Sequence, residues 1–186
     1  MKPRPSQRPL RLKSGDELKA LFSGALADAD GVSGAHCIHE RWMRGDFPAH
    51  IEADLELLWK SAAPSIPDWL PMRYVSWLPT AYEVASRFAA TGRGRTHVYL
   101  VLLDYSDRRG DDYGVYVGMS RYSPSQRFDQ HKAGIRAAGC VLKRGLEVLT
   151  GPALHLQNIP RSEAARIEAE LARALGDAGI HAEGGH

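Results

Sequence analysis

Cysteine is scarce in this chain, with only Cys37 and Cys140 among 186 residues. They lie far apart and no apolar signal-peptide core follows Met1, so a disulfide-built secreted framework is not expected and a reducing, cytoplasmic setting is. No run approaches the roughly 18 apolar residues that a spanning helix needs, which removes membrane insertion from the expectations. There is no internal repeat and no low-complexity tract. No Walker-type phosphate loop appears either, because Gly92-Arg93-Gly94-Arg95 is too short and lacks the lysine-Ser/Thr ending. What remains, 44% hydrophobic and 25% charged residues, is enough for one core, or for one core beside a smaller helical unit.

The net charge of +2 hides an uneven distribution. Residues 1–13 carry five basic side chains and no acid, whereas residues 14–60 carry nine acids against four bases. A basic, proline-containing arm suits phosphate binding through counterion release, although such a segment is more often a solvated, disordered terminus.

Hydrophobic spacing divides the remainder near residue 92. Ser14-Gly15-Asp16-Glu17 fits a capping box, and Leu18, Leu21, Phe22 and Ala25 follow at helical spacing, which predicts a helix over 15–27. Ile51, Leu55, Leu58 and Trp59 predict a second helix. After a proline-rich stretch from Pro64 to Pro79, Tyr82, Ala85, Phe88 and Ala89 suggest a third. From Thr96 the pattern turns to strands, His97–Leu103 and Tyr113–Met119, joined by a polar turn. Ser123 or Ser125 caps a predicted helix reaching about Ala138, with Pro124 in its first turn. Ala153–Gln157 suits a third strand, and a last helix runs over about 162–175 until Gly176. The organisation expected is a basic flexible arm over 1–13, a helical region over 14–92 and an α+β domain over 93–186.

The last helix carries the sharpest chemical signal. Ala164, Ala165, Leu171, Ala172 and Leu175 cluster around Glu168 at 100° per residue, while Glu163, Arg166, Glu170 and Arg173 lie on the opposite face. A carboxylate in an apolar stripe must be paired, hydrogen-bonded or metal-bound. A divalent cation with hard oxygen preference, Mg²⁺ or Mn²⁺, suits one carboxylate and leaves room for phosphate and water. Arg127 and His131 are four apart and share a helix face, the first able to grip a phosphate, the second able to position a water or a tyrosine. Tyr99 and Tyr116 sit on the two strands that precede them.

Val98-Tyr99, Tyr116-Val117-Gly118-Met119-Ser120, Arg127, His131 and Glu168, in that order, resemble the GIY-YIG nuclease domain over roughly residues 93–186. The resemblance implies a small three-stranded antiparallel sheet flanked by helices, and metal-dependent cleavage of DNA phosphodiester bonds. It implies that Glu168 binds the metal, that Tyr99 or Tyr116 activates or positions water, that Arg127 holds the phosphate and that His131 assists proton transfer. Gly118, Ser120, Arg121 and Lys132 are the expected substrate contacts around them. Where the family has an asparagine beyond its glutamate, this chain reads Gly179-Ile180-His181, so His181 and the terminal His186 are the polar candidates.

Other clusters weigh less. His36-Cys37-Ile38-His39-Glu40 has metal-capable side chains but matches no closed zinc spacing. Trp42, Trp59, Trp69 and Trp77 could stack bases, although tryptophans beside amphipathic helices more often pack in cores. The expected function is a metal-dependent endonuclease acting on DNA, and the constellation does not separate DNA from RNA. The alternatives are a catalytically weak nucleic-acid-binding module, or a nuclease effector whose residues 14–92 bind a protein partner.

Overall fold

The computed structural model describes residues 8–108 and 112–185, which form two compact units, one up to Pro79 and one from Thr80. The first is built on helices α1 (Gly15–Ala27), α2 (Gly31–Met43) and α3 (Pro48–Ala62), which pack on one another. Ser14 makes the expected capping box with Glu17. Leu18 and Phe22 from α1, Ile38 and Trp42 from α2, and Ile51, Leu55 and Leu58 from α3 supply the core. Full burial of each such side chain contributes about 1.5–3 kcal/mol before conformational entropy is charged against it.

Helix α2 has no counterpart among the helices expected from the sequence. Gly31 and Gly34 disguise it, since glycine weakens a helix by about 1 kcal/mol relative to alanine. Packing explains Gly34: a Cβ there would lie 2.4 Å from a Leu58 methyl, so glycine lets α2 and α3 close. The helix start is marked instead by Asp30, whose carboxylate accepts the Val32 and Ser33 N–H groups. Its His36 and His39 rings pack on Trp69 and its Glu40 on arginines, so these side chains serve the helical unit. Trp42 is buried, and its indole N–H donates to the Val75 carbonyl at 3.1 Å.

Helix α4 (Leu78–Ser86) leads into the second unit. There β1 (His97–Asp104) and β2 (Tyr113–Ser120) pair antiparallel along their whole length, with Tyr99 opposite Gly118 and Val101 opposite Tyr116. Helices α5 (Pro124–Lys132) and α6 (Gly139–Arg144) follow, then β3 (Gly145–Val148), α7 (Arg161–Asp177) and β4 (Ala182–Gly184). The sheet order is β3-β1-β2-β4. β1 is buried along both alternating sets of side chains, which identifies it as the central strand under helices. Tyr99, Val101, Leu103 and Tyr105 pack with Val141 of α6 and Phe128 of α5. Helix α7 packs on β1, β2 and β4.

The α+β class holds, but the sheet is four-stranded and mixed, not three-stranded and antiparallel. β4 adds parallel to β2, pairing Tyr116 with Glu183 and Val117 with Gly184. Three residues of Ala-Glu-Gly have no strand propensity of their own, and it is the open edge of β2 that makes them a strand. The third antiparallel strand is Gly145–Val148, whereas the expected strand over 153–157 contains a 3-10 turn at Leu154–Leu156. The helix expected to reach Ala138 ends at Lys132, because Gly134 and Arg136 both adopt positive φ, 76° and 45°.

Candidate functional site

Adjacent ends of β1, β2 and α5 bring four predicted residues together. Tyr99 and Tyr116 point to one side of the sheet from neighbouring strands, with ring centroids 6.2 Å apart. Gly118 makes room for both. A Cβ at that position would lie 2.6 Å from Tyr116 and 2.7 Å from the Tyr99 hydroxyl, so glycine here admits the two tyrosine rings.

His131 is 1% exposed and sits between these rings and the loop after α5. Its Nδ1 accepts the Ala138 backbone N–H at 2.9 Å, and its Nε2 lies 2.9 Å from the Tyr99 hydroxyl. A backbone N–H can only donate, so Nδ1 is bare and the neutral ring carries its proton on Nε2. The Nε2–H therefore donates to Tyr99. Burial, with a smaller contribution from the Arg127 charge, holds the imidazole down to about 4, which keeps it neutral near pH 7.

Both tyrosines ionise with difficulty. Burial pushes Tyr99 up and outweighs Arg127, while burial and the Glu168 charge push Tyr116 up. The Glu168 charge acts on that hydroxyl from α7, which packs against β2. Glu168 is 8% exposed on α7, among the buried Ala164, Ile167, Leu171 and Leu175. Ala165, expected on the same stripe, is exposed.

Arg127 is partly committed to structure. Its Nη1 donates to the Gln130 side chain and the Ile135 carbonyl, each at 3.1 Å, and its Nη2 donates to the Arg136 carbonyl at 2.8 Å. Its Nε–H and second Nη2–H make no bond to this loop, and the guanidinium also interacts with the Tyr99 hydroxyl. Arg127 and His131 thus both bind the loop over 133–138.

The other predicted residues separate. Ser120 and Arg121 line a groove beside Arg127. The Lys132 ammonium donates instead to the Gly145 carbonyl at 3.0 Å and the Leu142 carbonyl at 3.3 Å. His181 packs edge-on against Tyr105, about 20 Å along β1 from Tyr99 at strand rise, and so stands outside the tyrosine cluster. His186 lies outside the described residues. The neighbouring tail does reach the site's elements, with Gly184 against the Val117 backbone and Gly185 within 3.1 Å of the Ala169 backbone on α7 for an added Cβ. Arg136 and Arg161, which line the same groove, were missed by sequence reasoning because isolated arginines in a turn and at a helix start carry no pattern.

Among the described residues no three His, Cys, Asp or Glu side chains gather as a ligand set. Cys37 and Cys140 are free thiols, and no helix among the described residues is long and apolar enough to cross a membrane. No protein-family model, curated protein or solved structure matches this chain significantly.

Proposed function

We propose that the second unit is a metal-dependent endonuclease that hydrolyses DNA phosphodiester bonds. The observation that carries this reading is the convergence of Tyr99, Tyr116, His131 and Arg127 at one end of the sheet, with a buried carboxylate, Glu168, within electrostatic reach of Tyr116. An arginine, neutral hydroxyls and an inward carboxylate together suit water attack on a phosphodiester.

The residues divide the work as follows. His131 donates Nε2–H to Tyr99, which turns the Tyr99 proton away from the histidine and towards the Tyr116 oxygen. Tyr116 in turn is free to direct its own hydroxyl to water or to a phosphate oxygen. Because both tyrosines are held protonated, they position the nucleophilic water by hydrogen bonding and do not act as resting tyrosinates. Arg127 offers a phosphate the donor capacity that the loop does not take and offsets charge that builds there. Glu168 would hold a divalent cation, which would supply Lewis acidity there.

Cleavage of supercoiled DNA with Mg²⁺, Mn²⁺ or chelator, beside Glu168→Gln, tests this. Cleavage that requires the cation and falls by about 100-fold or more in the variant is expected. A folded wild-type protein that binds DNA and never cuts it would replace the enzyme with a binding module.

A further inference from the structure

Arg127 also forms one wall of a groove of about 530 Å³. Arg121 enters it from just beyond β2, Arg136 from the loop after α5, and Arg161 from the first residue of α7, with Ser120 and Gln130 between them. None of the described residues lining it carries a carboxylate. Among the described residues, no ion pair or hydrogen bond engages the guanidinium groups of Arg121, Arg136 or Arg161. Four like charges gathered without a counter-charge repel one another, and a bound polyanion relieves that repulsion.

The groove is also built. Arg136 holds φ at 45°, which costs a non-glycine residue about 1 kcal/mol or more. Arg127 sustains that conformation by binding the Ile135 and Arg136 carbonyls, those of the peptides before and after the Arg136 Cα. The guanidinium that faces Tyr99 thus fixes the backbone that aims a second guanidinium into the groove.

We infer that this groove holds the phosphates of a DNA strand that flank the bond to be cut. The inference rests on the nuclease reading for its register but not for its binding chemistry. Arg127 marks where the groove meets the tyrosines, and Arg121, Arg136 and Arg161 take successive non-scissile phosphates. The groove contributes affinity and strand placement, whereas Tyr99, Tyr116 and Glu168 contribute chemistry.

The test measures binding of a fluorescein-labelled single-stranded DNA by anisotropy, in chelator and across a salt series. It compares the full chain with Arg121→Gln/Arg136→Gln/Arg161→Gln and with Lys132→Gln, each checked for native melting. The triple variant should bind at least about 10-fold more weakly, and its log-affinity against log-salt slope should fall by about two, at about 0.7 for each phosphate no longer neutralised. Lys132→Gln should bind like wild type, because that ammonium faces protein carbonyls. An unchanged slope in the triple variant, or an equal loss from Lys132→Gln, overturns the groove. Because no metal is present, the two readings fail separately. A protein that binds through the groove but does not cut loses only the nuclease reading, and one that cuts while the triple variant binds normally loses only the groove.

Discussion

The Nδ1 of His131 accepts the backbone N–H of Ala138, and this one bond at 2.9 Å decides which way hydrogen bonding runs through the site. With its proton fixed on Nε2, His131 donates to Tyr99 and has no lone pair left for a substrate proton. In the proposed site this makes it a positioning group for Tyr99, and the variants below separate that role from the proton transfer that the family resemblance implies.

Glutamine at position 131 can place an amide N–H where Nε2 lies, whereas asparagine accepts the Ala138 N–H and stops short of Tyr99. His131→Gln should lose about 10-fold in single-turnover cleavage, and His131→Asn and His131→Ala about 100-fold or more. Equal losses in all three would reject donation to Tyr99 as the role.

Acid should unsettle the second unit through the same ring. An imidazole at about 4 when folded, against about 6.5 unfolded, makes the unfolded chain bind more protons between those values. The stability from keeping it neutral is complete above about pH 6.5 and declines as pH falls towards 4. His39 does the same in the first unit, held at about 4 chiefly by burial. Melting at about pH 5 should therefore fall below that at about pH 7.5, and His131→Gln should flatten the loss in the second unit alone. Melting of His131→Gln with an unchanged acid slope would rule this out.

Gly118→Ala tests the spacing of the tyrosines. The new methyl meets the Tyr116 ring and the Tyr99 hydroxyl at under 3 Å. One ring must move, at about 1–3 kcal/mol of overpacking. Cleavage should fall by more than DNA binding does, because the groove stands on other residues. A variant that cuts normally would show that the tyrosine pair tolerates displacement.

Much of this arrangement was legible in the sequence because it depends on period and order. The Ser14 capping box, the strands holding Tyr99 and Tyr116, and the inward position of Glu168 all follow from local rules, and all appear. What escaped depends on contacts distant in sequence. Gly34 is tolerated in α2 because Leu58 fills the space, β4 is a strand because β2 offers an edge, and α5 ends early at a turn that Arg127 clasps. The tautomer of His131 was beyond any sequence rule, since it is set by a backbone amide that only the folded loop presents.

The basic arm divides on the same grounds. Its Arg8 binds Glu40 through Nε at 2.9 Å and Nη2 at 2.6 Å, and Arg44 binds the same carboxylate at 2.7 Å. Burial pushes the Glu40 carboxyl up, but the two guanidiniums outweigh it and hold it below its ordinary range. Lys13 is engaged as well, with Glu17 at 2.9 Å. These two charges therefore serve the helical unit, and any phosphate-seeking role of the arm falls to the exposed Arg11 and to Lys2 and Arg4, the last two outside the described residues. Arg8→Gln leaves a buried carboxylate with one guanidinium, which should cost about 1–2 kcal/mol, less than an orphaned charge because Arg44 remains and Arg8 is partly exposed. The urea midpoint of the first unit should drop with its m-value unchanged. The acid limb should move to higher pH, since a carboxyl held below its unfolded value stabilises only above its folded pKa, and losing Arg8 raises that value. DNA affinity and its salt slope should not change. A flattened slope with an unmoved urea midpoint would return Arg8 to the phosphate-binding arm and remove it from the fold.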